Sequence, residues 1–211
     1  MQIIITPFIL KLIEVFGTIT GLIYLYYSVN ERIELWIWGF LSSLFTFLIF
    51  YLSQLYSESV LQIYYLIISI YGWYIWRFGV VENHQAKQII ISKISIYQIF
   101  SLTFWFIFIY LVILYLLIKG PSYLSLTPTQ VPYFDAFCTS GSIIGTWMLS
   151  RKLLENWLVW VVVDFVSIGI SVYKGLYFYA FLFLIYTVVS IVGYRKWGTL
   201  ISKSVVIDEK L

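Results

Sequence analysis

Seven apolar runs, each about as long as a bilayer is thick, constrain this chain more than any other feature. A spanning helix needs about 20 apolar residues. Because 62% of the residues are hydrophobic and only 11% are charged, against about 25% charged in soluble domains, we predict an all-α integral membrane protein. The seven predicted transmembrane helices are Phe8–Ser28, Glu34–Leu52, Val60–Trp76, Tyr97–Ile118, Tyr133–Ser150, Asn156–Tyr173 and Leu176–Tyr194.

The composition also excludes several classes of function. The single cysteine, Cys138, and the single histidine, His84, exclude a disulfide framework and a Cys/His metal site, so we expect neither metal nor cofactor. A Ser-His-Asp or Cys-His arrangement would have to use His84, which lies in a loop. A net charge of +3 is too small to indicate nucleic-acid binding. The N-terminus lacks the pattern of a cleaved signal peptide, so we expect the first helix to be retained.

The basic residues predict the orientation. With seven spans, one side carries only Lys11, Lys119 and Lys174, which is 3 of the 13 lysines and arginines, and the other side carries the remaining 10. Positively charged loops stay in the cytoplasm. We therefore expect a multi-pass protein of the bacterial cytoplasmic (inner) membrane, with its N-terminus outside and its C-terminus in the cytoplasm.

An internal repeat organises the spans. A shift of 121 residues aligns Glu14–Trp76 with Asp135–Trp197 without a gap, and tryptophan, glycine, serine and glutamate positions match. Two copies joined by one linking helix run the same way across the membrane, which predicts a 3+1+3 arrangement of two parallel three-helix repeats. The predicted segments are repeat one (8–77), the linking helix (97–119), repeat two (133–197) and a cytoplasmic tail (198–211), all within one transporter domain.

The sixth span carries the most informative polar face. Trp157, Trp160 and Asp164 share one face at helical spacing, and Ser167 and Ser171 continue it. A carboxylate at membrane depth is costly and marks a functional site by default. Tryptophan faces near a carboxylate suit a flat cationic ring, through cation–π attraction and charge.

The two repeats differ in these polar groups, which favours one asymmetric small molecule bound between them. Repeat two has Trp160 and Asp164 where repeat one has Gly39 and Ser43, and repeat one has Gln62 where repeat two has Phe183. The substrate-binding candidates are Trp157, Trp160, Asp164, Gln62, Tyr65, Tyr186, Ser43 and Thr146.

Five other residues near the ends of the spans are expected to lie at the membrane surface. We assign Trp36, Trp76 and Trp197 to the aromatic belts at the membrane surface. Acidic Glu14 and Asp135 are expected near the outer surface.

Four segments resemble the PnuC family of vitamin transporters. They are Leu61–Trp76, Glu155–Asp164, Tyr173–Tyr177 and Gly193–Trp197, which hold the patterns Gln-x-x-Tyr, Tyr-Gly-Trp-x-x-Trp, Trp-x-x-Trp and Gly-Tyr-Arg-x-Trp. The resemblance covers nearly the whole chain. The family is similar to the SWEET sugar transporters in its 3+1+3 arrangement, in agreement with the repeat found from the residues.

The resemblance implies import of nicotinamide riboside by facilitated diffusion, made unidirectional by a cytosolic kinase that phosphorylates the substrate. It places substrate at Trp157 and Trp160 of the Trp-x-x-Trp helix, and at Gln62 and Tyr65. Many members have glutamine in the fifth helix where this chain has Gly145-Thr146-Trp147, so nicotinamide riboside and thiamine, the substrate of the PnuT branch, both stay open. Neutral riboflavin and a phosphorylated mononucleotide fit the residues less well, since no span interior offers Arg or Lys for a phosphate.

Two functions other than transport are the alternatives to a carrier: a membrane enzyme and a non-transporting membrane subunit. A membrane enzyme would need a second catalytic group near Asp164, and the sequence places none at that depth. A non-transporting membrane subunit would have no need of Trp160, Asp164 and Gln62. Because Asp164 is the only deep carboxylate, we expect uncoupled transport rather than proton symport. The expected partners are the vitamin and the lipid bilayer, and a homo-oligomer stays open.

Overall fold

The computed structural model describes residues 7–53, 56–82, 85–124 and 128–208, so His84 lies outside it. Seven α-helices and one β-hairpin make up the described chain. The helices are α1 (Pro7–Val29), α2 (Leu35–Leu52), α3 (Tyr56–Phe78), α4 (Ile96–Leu124), α5 (Pro132–Ser150), α6 (Asn156–Tyr173) and α7 (Tyr177–Asp208). Strands β1 (Val80–Glu82) and β2 (Gln85–Lys87) form the antiparallel hairpin.

The chain forms two compact units. The first unit, residues 1–89, holds α1, α2, α3 and the hairpin. Its middle helix, α2, packs against both α1 and α3. The second unit, residues 90–211, holds the other four helices. Here α6 packs against both α5 and α7, and α4 packs against α5.

Six of the helices in the described chain are long and apolar enough to cross a membrane, and α5 is the one that falls short. Its sequence holds Ser140, Gly141, Ser142 and Thr146, all of which are buried. Small polar residues let helices approach closely inside a membrane protein. The low apolarity of α5 therefore reflects contact with protein rather than with lipid, because α5 packs against both α4 and α6.

The loops α1–α2 and α5–α6 have the same backbone. Glu31 and Lys152, one repeat shift apart, both adopt a left-handed conformation, with φ of 54° and 52°. The amide after each of them, Arg32 or Leu153, donates to the carbonyl five residues earlier in the chain, at 3.0 Å in both loops. Such agreement between two turns of unrelated residues supports the alignment by 121 residues at the level of local structure.

The all-α prediction misses the hairpin, which lies in the predicted loop between the third and fourth spans. Three residues in each strand are too few to stand out by alternation. Helix α7 continues beyond Tyr194, the predicted end of the last span, to Asp208. Hydropathy marks where a helix leaves the apolar region, and a helix can continue into water beyond that point. Likewise, α4 runs through Pro121 to Leu124.

A short segment before α4 is bound to the α5–α6 loop. Ser92 pairs with Leu153 in an isolated parallel bridge, where the Ser92 amide donates to Lys152 O at 3.1 Å and the Leu154 amide donates to Ser92 O at 2.9 Å. The Ile94 amide then donates to a Glu155 carboxylate oxygen at 2.9 Å. We call residues 91–95 the strap. Glu34, the repeat equivalent of Glu155, instead forms an ion pair with Arg32.

Candidate functional site

Helix α6 turns its polar face into the protein and its apolar face outward. Asp164 is only 4% exposed, and Ser167 and Ser171 are buried with it, whereas Phe165 and Val162 are exposed. The sequence prediction of a helix over Asn156–Tyr173 with one polar face is confirmed. A carboxylate this deeply enclosed needs hydrogen-bonding partners, because burial of a bare charge is costly.

Partners for Asp164 come from α7 and α5. The Ser190 side chain on α7 hydrogen-bonds the Asp164 carboxyl, and Tyr186, one turn earlier, interacts with it electrostatically. Cys138 of α5 lies within range of the electrostatic field of the same carboxyl. Its Sγ is 3.5 Å from the Ser167 hydroxyl oxygen. Within the described part of the chain, no lysine or arginine forms an ion pair with Asp164. Among the described residues, the Asp164 carboxyl is therefore held by a hydrogen bond and not by an ion pair.

Trp160, one turn before Asp164, lies against the α5 backbone. Its indole atoms Cε2 and Nε1 are 3.3 Å from the place that a Cβ on Gly145 would occupy. Thr146, next to that glycine, is buried and donates its hydroxyl to Ser142 O at 2.8 Å. A glycine at 145 thus gives the large indole room between α5 and α6, and the Thr146 hydroxyl is engaged by its own helix.

Trp157 lies deep in the contact between α6 and α7. It is 3% exposed, meets Trp197 edge to face with ring centroids 5.6 Å apart and an interplanar angle of 88°, and covers Gly193. Its indole Nε1 finds no hydrogen-bond partner among the described residues. In this structure, Trp157 therefore packs α6 against α7.

The first unit contains the same arrangement. Trp36 meets Trp76 edge to face, with centroids 5.6 Å apart and an interplanar angle of 89°, and it covers Gly72. The assignment of Trp36, Trp76 and Trp197 to membrane-surface belts is wrong, because all three are buried in helix contacts. Edge-to-face packing of Trp36 on Trp76 and of Trp157 on Trp197, rather than lipid contact, explains these positions.

The other predicted residues of the first unit belong to α2 and α3. Ser43 is buried, and Gln62 and Tyr65 are half-buried. The Tyr65 ring lies 5.7 Å from the Tyr64 ring. The eight candidates thus divide between the units: Ser43, Gln62 and Tyr65 belong to the first, and Thr146, Trp157, Trp160, Asp164 and Tyr186 to the second.

No pattern in the sequence singles out Tyr24 of the first unit. Tyr24 on α1 packs on Gly39 of α2, with its ring atom Cδ2 3.0 Å from a Cβ built on that glycine, and it interacts electrostatically with Tyr65. The stretch around it reads as a plain apolar span. The signal that would have found it is the repeat alignment, which places Tyr24 opposite Gly145.

Glu14 and Asp135 differ in their surroundings. Glu14 is exposed on α1. The Asp135 carboxylate, in the first turn of α5, accepts a hydrogen bond from the Thr129 hydroxyl, and its other oxygen lies 3.9 Å from Lys174 Nζ. Asp135 therefore ties the start of α5 to the segment before it and to the turn after α6.

Comparison with known proteins decides the family. A family model described as nicotinamide mononucleotide transporter matches residues 11–199. The chain belongs to this family, the PnuC family of membrane transporters. It is 27% identical over 204 residues to the nicotinamide riboside transporter PnuC of Escherichia coli, covering 89% of this chain and 85% of that protein.

Two further proteins are similar to this chain: one is named for a different substrate, and the other is a solved structure. The riboflavin/roseoflavin transporter RibM of Streptomyces davaonensis is 28% identical over 186 residues, which cover 87% of this chain and 83% of RibM. A crystal structure of the vitamin B3 transporter PnuC matches with a TM-score of 0.67 at 18% identity, covering 92% of this chain and 83% of that one. At that identity the match shows a PnuC-like fold. The chain is a multi-pass membrane protein of a transporter family.

Proposed function

We propose that this protein imports nicotinamide riboside across the bacterial cytoplasmic membrane by facilitated diffusion. The observation that carries the proposal is the buried Asp164 carboxyl beside Trp160, with Ser190 as its hydrogen-bond partner and no basic side chain paired with it in the described chain. An enclosed carboxylate and an electron-rich indole together favour a flat aromatic cation. The similarity to the Escherichia coli nicotinamide riboside transporter supports this choice.

Thiamine is the second candidate because it is also a flat aromatic cation and satisfies the same argument. Riboflavin, named for the relative RibM, is neutral and would leave Asp164 unmatched. We expect the substrate contacts to come from the five candidates of the second unit and from Ser43, Gln62 and Tyr65 of the first. We also propose that the protein is not an enzyme and is not merely a structural subunit of another complex.

The architecture proposed for this function is seven spans in a 3+1+3 arrangement of parallel repeats. The matching loops at Glu31 and Lys152 and the matching tryptophan pairs over Gly72 and Gly193 support the duplication. The packing of α5 between α4 and α6 supports counting it as a span despite its polar residues. The 3-to-10 distribution of basic residues supports an outside N-terminus and a cytoplasmic C-terminus.

Direct binding is the first experiment. The purified protein is titrated calorimetrically with nicotinamide riboside, thiamine and riboflavin, and nicotinamide riboside is expected to bind most tightly. Trp160→Ala and Gln62→Ala are expected to abolish binding. If no ligand of the three binds, the proposed substrate class is wrong, and unchanged binding in both variants would show that the site lies elsewhere.

Transport into liposomes tests the mechanism. In facilitated diffusion, radiolabelled substrate equilibrates across the membrane but does not accumulate. We expect accumulation only when a nucleoside kinase and ATP are enclosed in the liposomes, because phosphorylation removes the free substrate. Accumulation driven by an imposed proton or sodium gradient, without kinase, would instead show coupled transport.

A further inference from the structure

The contact between the first two helices of each repeat, α1 with α2 and α5 with α6, contains one aromatic ring on one glycine, but the two residues are exchanged. In the first unit the ring belongs to α1 and the glycine to α2, where Tyr24 Cδ2 and Cε2 lie 3.0 and 3.2 Å from a Cβ built on Gly39. In the second unit the ring belongs to α6 and the glycine to α5, where Trp160 lies 3.3 Å from a Cβ built on Gly145. The shift of 121 residues aligns Tyr24 with Gly145 and Gly39 with Trp160.

This exchange means that each unit keeps one large ring at the same local position of its helix contact. Either helix can supply the ring, provided that its neighbour has glycine there to leave room. The alignment of the two repeats hides this equivalence, because it pairs Tyr24 with Gly145 and Gly39 with Trp160, an aromatic residue with a glycine in both cases. Tyr24 is therefore the counterpart of Trp160 in space within its unit, although Gly39 is its counterpart in sequence.

The surroundings of Tyr24 are polar. The Ser69 hydroxyl lies 3.5 Å from the same Cβ position on Gly39 that the Tyr24 ring approaches. Tyr65 and Tyr64 of α3 are also neighbours of Tyr24. Ser69 is the repeat equivalent of the Ser190 that hydrogen-bonds Asp164.

Packing alone does not account for a tyrosine here. A leucine or phenylalanine would fill the space over Gly39 and would bring no hydroxyl into a transmembrane segment, where each polar group must find a partner. Tyr26, two residues further along α1, shows the contrast, since it is 63% exposed on the outward side of the same helix.

We propose that Tyr24 contacts the substrate and contributes to its specificity, as the first unit's counterpart of Trp160. This inference rests on the proposed transport of a flat aromatic cation. The face of the Tyr24 ring attracts a positive aromatic ring, which is the same chemistry that the indole of Trp160 offers within the second unit. Its hydroxyl, in the group with Tyr65, offers a hydrogen bond to a polar substituent of the substrate.

The test compares affinities for a charged and a neutral form of one ligand. Wild-type protein, Tyr24→Leu, Tyr24→Phe and the control Tyr26→Leu are titrated with nicotinamide riboside, a cation, and with its reduced dihydropyridine form, which is neutral. Tyr24→Leu is expected to bind the cation about tenfold more weakly, the size of a desolvated cation–π contact, with a smaller loss for the neutral form. Tyr24→Phe is expected to keep most of the cation affinity, and Tyr26→Leu all of it.

A change in the ratio of the two affinities separates substrate contact from a structural role. Equal losses for both forms, or no loss, in a monodisperse Tyr24→Leu variant would overturn the inference. If that variant does not fold, Gly39→Ala is measured instead, because its Cβ displaces the Tyr24 ring without removing it. Gly39→Ala is expected to weaken cation binding, and unchanged binding would overturn the inference.

The controls keep this inference separate from the proposed function. If wild-type protein binds nicotinamide riboside and Trp160→Ala loses it while Tyr24→Leu keeps it, only the role of Tyr24 is wrong. If wild-type protein binds neither nicotinamide riboside nor thiamine, the proposed function fails first.

Discussion

Trp157 covers Gly193 so closely that a Cβ on the glycine would come within 2.6 Å of the indole atoms Cδ2 and Cε2. The contact joins α6 to α7, and its equivalent, Trp36 over Gly72, joins α2 to α3. Both indoles are buried, so neither can swing outward without opening the helix pair. These two contacts hold the middle helix of each repeat, α2 or α6, to the helix that follows it.

Gly193→Ala is expected to lower the free energy of unfolding by about 1–3 kcal/mol, the usual cost of overpacking a close contact. Thermal unfolding of the purified protein in detergent measures the change, and Gly72→Ala should behave in the same way. Gly169→Ala is the matched control, because nothing lies within 4 Å of its Cβ position on α6. There, alanine should stabilise the helix by about 0.5–1 kcal/mol. If all three variants are equally stable, the tryptophan contacts do not hold the helices.

Glu155 is expected to hold the strap in place. Glu155→Ala removes the acceptor of the Ile94 amide and should cost about 1–2 kcal/mol, whereas Glu155→Gln keeps an acceptor and should cost less. Hydrogen exchange of residues 91–95 should accelerate in the alanine variant alone. Glu34→Ala is the control, since its ion pair with Arg32 is exposed and contributes less than about 1 kcal/mol. Unchanged exchange in Glu155→Ala would show that the backbone bridge suffices.

Lys152 tests the left-handed turn between α5 and α6. Its φ of 52° is unfavourable for a β-branched residue and neutral for glycine. Lys152→Val is therefore expected to lower the free energy of unfolding by about 1–2 kcal/mol relative to Lys152→Gly. Thermal unfolding of the two variants gives the difference directly, and Glu31→Val against Glu31→Gly repeats the comparison in the first unit. Equal stabilities of the Val and Gly variants would mean that the turn tolerates another backbone conformation.

The sequence predicts the helices well where the apolar run and the helix end together. Helix α6 begins at Asn156 and ends at Tyr173, as predicted. It ends there because Gly175 adopts a φ of 71° and the Leu176 amide donates to Ser171 O, which is typical of a helix C-terminus. The end of α7 could not be predicted in this way, since the charged pair Arg195-Lys196 interrupts the apolar run while the helix continues to Asp208. Hydropathy reports the extent of the bilayer, and hydrogen bonding decides the extent of the helix.

The polar face of α6 could be predicted from spacing, whereas the position of the tryptophans could not. An indole at the end of a span has the same periodicity whether it meets lipid or protein. What decides its place is the glycine opposite, Gly72 for Trp36 and Gly193 for Trp157, and that contact joins residues 36 positions apart in each repeat. The equal spacing in both repeats was the available signal. The strap and Tyr24 depend on contacts between segments that no single pattern in the sequence links.

Asp164 provides the sharpest test of substrate charge. Asp164→Asn keeps a side chain that can hydrogen-bond Ser190, so the fold should be retained, but it removes the negative charge. Affinity for cationic nicotinamide riboside should fall at least about tenfold, because a nearby opposite charge contributes well over 1 kcal/mol in a low-dielectric site. Affinity for the neutral reduced form should change much less. Ser171→Ala is the matched control, because Ser171 is buried on the same face of α6 and is not among the proposed substrate contacts. Calorimetric titration of both variants with both forms decides the matter: equal affinities of Asp164→Asn and wild-type protein for the cation would show that the carboxylate has no part in recognition.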